Sequence, residues 1–200
     1  KALLALDATG EVIDEAIDFG ADMIITHHPL IWNAMKSLTA DDITQRRVMK
    51  LVKNDISLVS MHTNLDIADG GVNDVLLSLL GADLISALDE DGCGRVGQLR
   101  EPTDMTRFLP FCKAALSTNG LRYYDAGRPV ERLAVMGGAG GSSLERAYEL
   151  GCDTYLTSDI KYDQFLTARE LCINLIDGDH FCTENPVIYA LHERLSLAFP

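Results

Sequence analysis

Basic residues are in short supply. Lys and Arg together number 17 against 30 Asp and Glu, for a formal net charge of −13 at pH 7. Non-specific binding to DNA or RNA needs a basic surface that releases phosphate counterions, so a general nucleic-acid-binding role is excluded. A small anionic substrate is still compatible, provided cations neutralise it locally. Long apolar runs are missing too, and none approaches the roughly 18–20 residues that a membrane span needs. No basic segment leads into an apolar stretch and a cleavage site, so the expectation is no export and no membrane partner. Paired cysteines are also lacking. Cys93, Cys112, Cys152, Cys172 and Cys182 are odd in number and none lies at C-x-x-C spacing. That pattern predicts reduced thiols in the cytoplasm rather than a disulfide framework. Most would act as small core hydrophobes, with Cys182 set apart by its place between two candidate ligands.

What is present is enough apolar residue for a sizeable core, 47% of 200 residues,. Short apolar runs alternate with helical patterns, which indicates an α/β fold. Strands are expected over 2–6, 23–25, 57–61, 121–124, 133–136, 154–156 and 172–176. Helices are expected over 11–19, 41–53, 72–80, 143–150, 161–170 and 185–195. In the 41–53 helix, Ile43, Val48, Leu51 and Val52 are available to face the core. The 83–102 stretch, rich in Gly and acidic residues, reads as loop with a short strand near Gln98. The 103–117 stretch reads as helix, kinked or split by Pro110.

The chain repeats itself. At a shift of 131, Ala8, Gly10, Ala16, Gly20, Asp22 and Thr26 fall on Ala139, Gly141, Ala147, Gly151, Asp153 and Thr157. Further along, a shift of 118 places His62 on His180 and Asp66 on Glu184. Each half carries a His-x-x-x-acid pair after a buried strand. This predicts an internal duplication, with two similar α/β halves over 1–100 and 101–200 around a central cleft.

Five His occur in the chain. His27, His28, His62 and His180 follow strands and lie beside carboxylates or other His. His192 sits inside the closing helix and reads as structural or solvated. Thr26-His27-His28-Pro29 directly follows an apolar strand, and neutral imidazole is the commonest metal ligand. The competing reading is a polar turn in which one His caps a helix. Asp66 and Glu184 add carboxylates that can bridge two cations and cancel their charge. A nitrogen and oxygen donor set without Cys suits Zn, Mn or Fe. Five strong ligands, His27, His28, Asp66, His180 and Glu184, point to two divalent ions. His62 is expected to orient a ligand or to move a proton. The 137–141 glycine loop could cradle a phosphate, but its poor match to G-x-G-x-x-G and the lack of a following Lys favour a tight turn. The 157–163 loop duplicates the His-His loop, with Lys161 or Asp163 reaching substrate or simply starting a solvated helix.

Ile25-Thr26-His27-His28-Pro29-Leu30, His62-Thr63-Asn64-Leu65-Asp66 with Gly71-Val72-Asn73-Asp74, Gly138-Ala139-Gly140, and the run from Asp177 through His180 to Glu184 resemble the Nif-three-like family. These are the dinuclear-metal-centre hexameric proteins, also called GTP cyclohydrolase 1 type 2 homologues. The resemblance implies a toroidal homohexamer with metal ligands at His27, His28, Asp66, His180 and Glu184, and with His62 beside the metals. Relatives commonly carry His where Asp163 stands, and an N-terminal helical segment before the first strand. The expectation is a metal-dependent hydrolase acting on a nucleotide or phosphoester through activated water, with His62 as general acid or base. The alternative is a non-catalytic metal-binding assembly with a regulatory, chaperone or adaptor role.

Overall fold

The computed structural model describes residues 1–199. Cα proximity divides the chain into two compact units, Lys1–Leu65 with the stretch from Leu195, and Asp66–Arg194.

The smaller unit is built on a three-stranded parallel sheet of β1 (Ala2–Ala5), β2 (Met23–Thr26) and β3 (Ser57–Ser60), in that order. Helix α1 (Gly10–Phe19) connects the first two strands. Thr9 caps it by accepting the Val12 N–H, and Gly20 closes it in left-handed backbone,. Ile13 and Ala16 on its inner face bury against Ala21, Ile24, Leu51 and Ile56. Helix α2 (Ile43–Lys53) connects β2 to β3 and is capped by Asp42. Two residues expected in the core are not there: Ile43 and Val52 are 58% and 72% exposed. Only Leu51 of this helix is buried, and Val52 lies about 100° further round the helix.

The larger unit holds a six-stranded mixed sheet in the order β4 (Ala82–Ala87), β5 (Arg95–Thr103), β7 (Val130–Val135), β8 (Thr154–Thr157), β9 (Asn174–Asp177), β6 (Arg122–Tyr124). β7, β8 and β9 run parallel, and the remaining pairings are antiparallel. Alternation sends Leu133, Val135, Leu156 and Ile176 to one face. There they join Leu76 and Leu77 of α4 (Val72–Leu79) and Phe108 and Cys112 of α5 (Met105–Ala115). Ala134, Tyr155 and Leu175 go to the other face, with Leu144 and Ala147 of α6 (Leu144–Glu149) and Ala168 of α7 (Tyr162–Leu171).

Three expectations are corrected here. The 83–102 stretch is mostly strand: β4 and the nine-residue β5, with β5 between two neighbours. Pro110 does not split α5, which is continuous across it. Pro110 and Thr106 are both exposed, so water can take up the Thr106 carbonyl that the proline leaves without an amide partner. Cys172 is not in a strand. It ends α7 in left-handed backbone with φ 51°, and β9 starts at Asn174.

The duplication is visible in strand register. Ala2 pairs with Met23, and Leu133 with Thr154, which is the same pairing shifted by 131. Met23 pairs with Ser57 and Thr154 with Asn174, so the third strand is shifted by 117. The histidine that follows is shifted by 118 because the second copy has one more residue between strand and His. Among the described residues, no helix is long and apolar enough to cross a membrane.

Candidate metal centre

In the smaller unit β2 ends at Thr26 and delivers His27 and His28. Thr26 Oγ1 donates to the His28 carbonyl (2.8 Å) and lies 2.9 Å from Ser60 Oγ, which ties this turn to the end of β3. β3 in turn delivers His62. Ligand atoms of His27, His28 and His62 all lie within 4.8 Å of one another. His27 is fully buried. Its Nδ1 lies 2.8 Å from the Met61 carbonyl, an acceptor only, so Nδ1 donates and the neutral ring carries its lone pair on Nε2,. His28 Nδ1 lies 2.9 Å from Asp7 Oδ1. Trp32 meets His62 edge-on, with ring centroids 5.5 Å apart.

In the larger unit the end of β9 runs through Asp179 into a short helix, α8 (His180–Glu184). Asp179 caps it by accepting the Cys182 N–H at 3.1 Å. One helical turn brings His180 and Glu184 together, with Nε2 3.1 Å from Oε2,. His180 Nδ1 lies 2.6 Å from Asp159 Oδ2. The bond to Glu184 is the main reason the His180 pKa is lifted to about 9, burial opposes it, and Asp159 adds to it,. Glu184 is 4% exposed. A cation there would replace the His180 proton as the partner of a buried carboxylate, so the donor set suits a metal.

Asp66 lies on α3 (Thr63–Ile67), at the first residue of the larger unit. His62 and Asp66 stand i, i+4 about the start of α3, as His180 and Glu184 do on α8. In the second copy both members sit on a short helix, and in the first Asp66 sits on α3 with His62 immediately before it. Asp66 is anchored through its backbone: Asn73 Nδ2 donates to its carbonyl at 2.9 Å, while Asn73 Oδ1 accepts the Gly137 N–H at 2.9 Å.

The glycine turn proves to be structural. Gly137 donates its N–H to Asn73, Gly138 to Thr183 Oγ1 and Gly140 to Thr157 Oγ1. Those amides are engaged by the protein, which removes the phosphate cradle. Gly138 has φ +66°, and a Cβ on it would overlap the Glu184 carboxylate, so this position must be glycine for the acid to sit where it does. Lys161 and Asp163 lie exposed at the start of α7. His192 is exposed on α9 (Pro186–Ala198).

Asp7 was not singled out from sequence, and Asp159, Asn73 and Thr183 entered only as members of the 157–163 loop and of the family motifs. Asp159 had a signal: it is the duplicate of His28 at the 131 shift. The supporting roles of Asn73 and Thr183 depend on contacts between distant segments and left no local pattern.

The description Duf34/NIF3 (NGG1p interacting factor 3) belongs to a family model that matches residues 1–200. The chain belongs to the DUF34/NIF3 family. Family relatives named GTP cyclohydrolase 1 type 2 homolog include one from Clostridium perfringens (strain 13 / Type A). It is 36% identical over 202 residues, covering 98% of this chain and 77% of that protein. Another of the same name, from Methanocaldococcus jannaschii, is 32% identical over 188 residues, covering 92% and 75%. Among solved structures, the protein ybgI, described as of unknown function, superposes with a TM-score of 0.91 at 27% identity, covering 98% of this chain and 79% of that one. Reduced HcgD from Methanocaldococcus jannaschii superposes with a TM-score of 0.86 at 31% identity, covering 98% and 78%. The α/β fold expected from the resemblance is therefore that of the family.

Proposed function

We propose that His27, His28, Asp66, His180 and Glu184 together hold two divalent cations of the Zn, Mn or Fe kind, in a metal-dependent hydrolase of nucleotides or other phosphoesters. The observation that carries this reading is how the imidazoles are held. Nδ1 of His27, His28 and His180 each faces a carbonyl or carboxylate oxygen at 2.6–2.9 Å. Metal-ligating histidines almost always give their second ring nitrogen to such a partner, which fixes the ring and raises its basicity.

When bound, the cations would supply Lewis-acid chemistry, polarising a substrate bond and making a water more acidic. The chain's own residues would do the rest. Asp66 and Glu184 would balance the cationic charge. His62, packed edge-on by Trp32, would carry the proton between water and leaving group. The relatives' name makes GTP the first substrate to try, and a cytoplasmic homohexamer is the working form under this reading. The family description as an interacting factor favours a second reading, a non-catalytic assembly that displays the metals to a partner.

Elemental analysis of metal-replete protein tests the site, with His28→Ala and Glu184→Ala as depleted controls. Wild type carrying no transition metal would refute the five-ligand reading. Metal-loaded protein should then turn over GTP or a member of a phosphodiester panel. Asp66→Ala should abolish that turnover, and His62→Ala should slow it by about 10²–10⁴-fold with metal content kept. Bound metal with no turnover across the panel would favour the second reading.

A further inference from the structure

We propose that Asp7 and Asp159 are positioning residues, each locking one imidazole in its Nδ1–H tautomer so that Nε2 is the atom offered to a cation. The inference rests on the metal reading above and adds two residues to it. Asp159 Oδ2 is 2.6 Å from His180 Nδ1, and Asp7 Oδ1 is 2.9 Å from His28 Nδ1.

The backbone around Asp159 is built to hold that carboxylate. Asp159 has φ 53°, a conformation that few residues other than Gly, Asn and Asp adopt readily,. It is flanked by Ser158 and Ile160, both buried. Ser158 Oγ and Thr157 Oγ1 both donate to the Gly138 carbonyl, at 2.6 and 2.9 Å. The turn is thus pinned on its approach side, with its exposed side chain aimed at the histidine.

The duplication supplies a second argument. Asp159 occupies the position that is His28 in the first copy. In the first copy this position carries the imidazole, and the carboxylate arrives from the residues after β1. In the second copy it carries the carboxylate, and the imidazole arrives from α8. The residue types have been exchanged, yet both copies end with a carboxylate on an imidazole Nδ1. An exposed ion pair is worth little to folding, so stability alone gives no reason for both copies to arrive at this pairing. Orienting a ligand does.

The test uses the full chain, stripped of metal and labelled with ¹⁵N-histidine, together with Asp7→Ala, Asp159→Ala and Asp159→Asn. Ring ¹⁵N shifts are followed to their alkaline plateau, and zinc affinity is measured by competition with a chromophoric chelator. Wild type should show His28 as Nδ1–H, and His180, read in a Glu184→Ala background because Glu184 Oε2 lies 3.1 Å from its Nε2 and competes for the proton, should be Nδ1–H as well. Asp159→Ala in that background should move His180 alone to the Nε2–H form, and Asp7→Ala should move His28 alone. Each alanine variant should bind zinc about 10–100-fold more weakly. Asp159→Asn suits the same backbone and keeps an acceptor oxygen, so it should restore the tautomer and part of the affinity. Unmoved tautomers in both alanine variants overturn the proposal, even if zinc binding weakens, because the carboxylates would then act by charge alone. Wild-type tautomers as stated, with no zinc affinity, would refute the metal reading and leave the tautomer assignment standing.

Discussion

The β1–β2–β3 sheet of the smaller unit and the β7–β8–β9 segment of the larger are one duplicated piece of structure in two settings. In the smaller unit Leu3, Ile24 and Leu58 share a register row beneath α1 and α2. Their counterparts Ala134, Tyr155 and Leu175 are buried beneath α6 and α7. The opposite row tells the two copies apart. Val135, Leu156 and Ile176 lie in a core roofed by α4 and α5. Leu4, Ile25 and Val59 are only half-buried or exposed, and Val59 is 42% exposed. One copy is thus a fully covered sheet and the other a sheet covered on one face within its own unit. The three-histidine cluster stands on the thinner copy, while His180 and Glu184 stand on the thicker one.

The sharpest way to break this comparison is to cut matching side chains. Ile176→Ala should cost about 2–5 kcal/mol, as buried large-to-small changes do. Val59→Ala, at the matching register position, should cost about 0.5 kcal/mol. Equal losses in urea unfolding would show that the two settings do not differ.

Alkaline pH should also separate the units, because all five cysteines lie in the larger one. Burial pushes the Cys112 thiol from 9.0 to about 12, and the Cys152 thiol from 9.0 to about 11. Each keeps its proton in the fold after the unfolded chain has lost it, so unfolding releases a proton above pH 9.0. That stabilisation is whole below pH 9.0 and is lost as pH rises toward the folded values. Cys112→Ala should flatten the fall in urea midpoint over this range. An unchanged slope in both Cys112→Ala and Cys152→Ala would rule these thiols out as its source.

Gly138→Ala should cost about 1–3 kcal/mol for its left-handed backbone alone. It should also displace Glu184 and lower metal content. Alanine at Gly10, which meets open space with ordinary backbone, should leave metal content untouched.

Much of this was legible in sequence where the signal is local. Glycine stops at Gly20 and Gly151 and short apolar runs pointed to the repeat, and the His-x-x-x-acid spacing pointed to one helix face. β4 and β5 were not legible because their pairing is non-local. β5 contains Gly97 and Pro102, which read as loop. Gly97 is there because Leu77 packs onto the strand, leaving a Cβ only 2.8 Å from Leu77 Cδ1,. Pro102 falls where the β5–β7 register shifts between Gln98 and Thr103. The candidate ligands stood out because histidine is rare in the chain, four of its five His follow strands, and Asp66 and Glu184 each stand four residues beyond one of them. Asp7 had no signal of its own among 30 acidic residues, and Asp159 had only its place as the duplicate of His28, until the fold set each on a histidine.

Hydrogen exchange offers the smallest and most local form of the comparison. Protection reflects the free energy of opening each segment, which follows the apolar surface that must be exposed. Amides of Ile24 and Ile25 in β2 pair with neighbours on both sides, as do those of Tyr155 and Leu156 in β8. Hydrogen bonding is therefore matched, and the difference in cover over the outer row is what remains. β2 amides should exchange about tenfold faster than β8 amides, a gap of about 1.4 kcal/mol in opening free energy. Adding zinc should slow β2 exchange if His27 and His28 bind it, because a ligand held only by the closed form stabilises that form. Equal protection in β2 and β8 without metal would mean that the outer row of the smaller sheet is covered in solution after all.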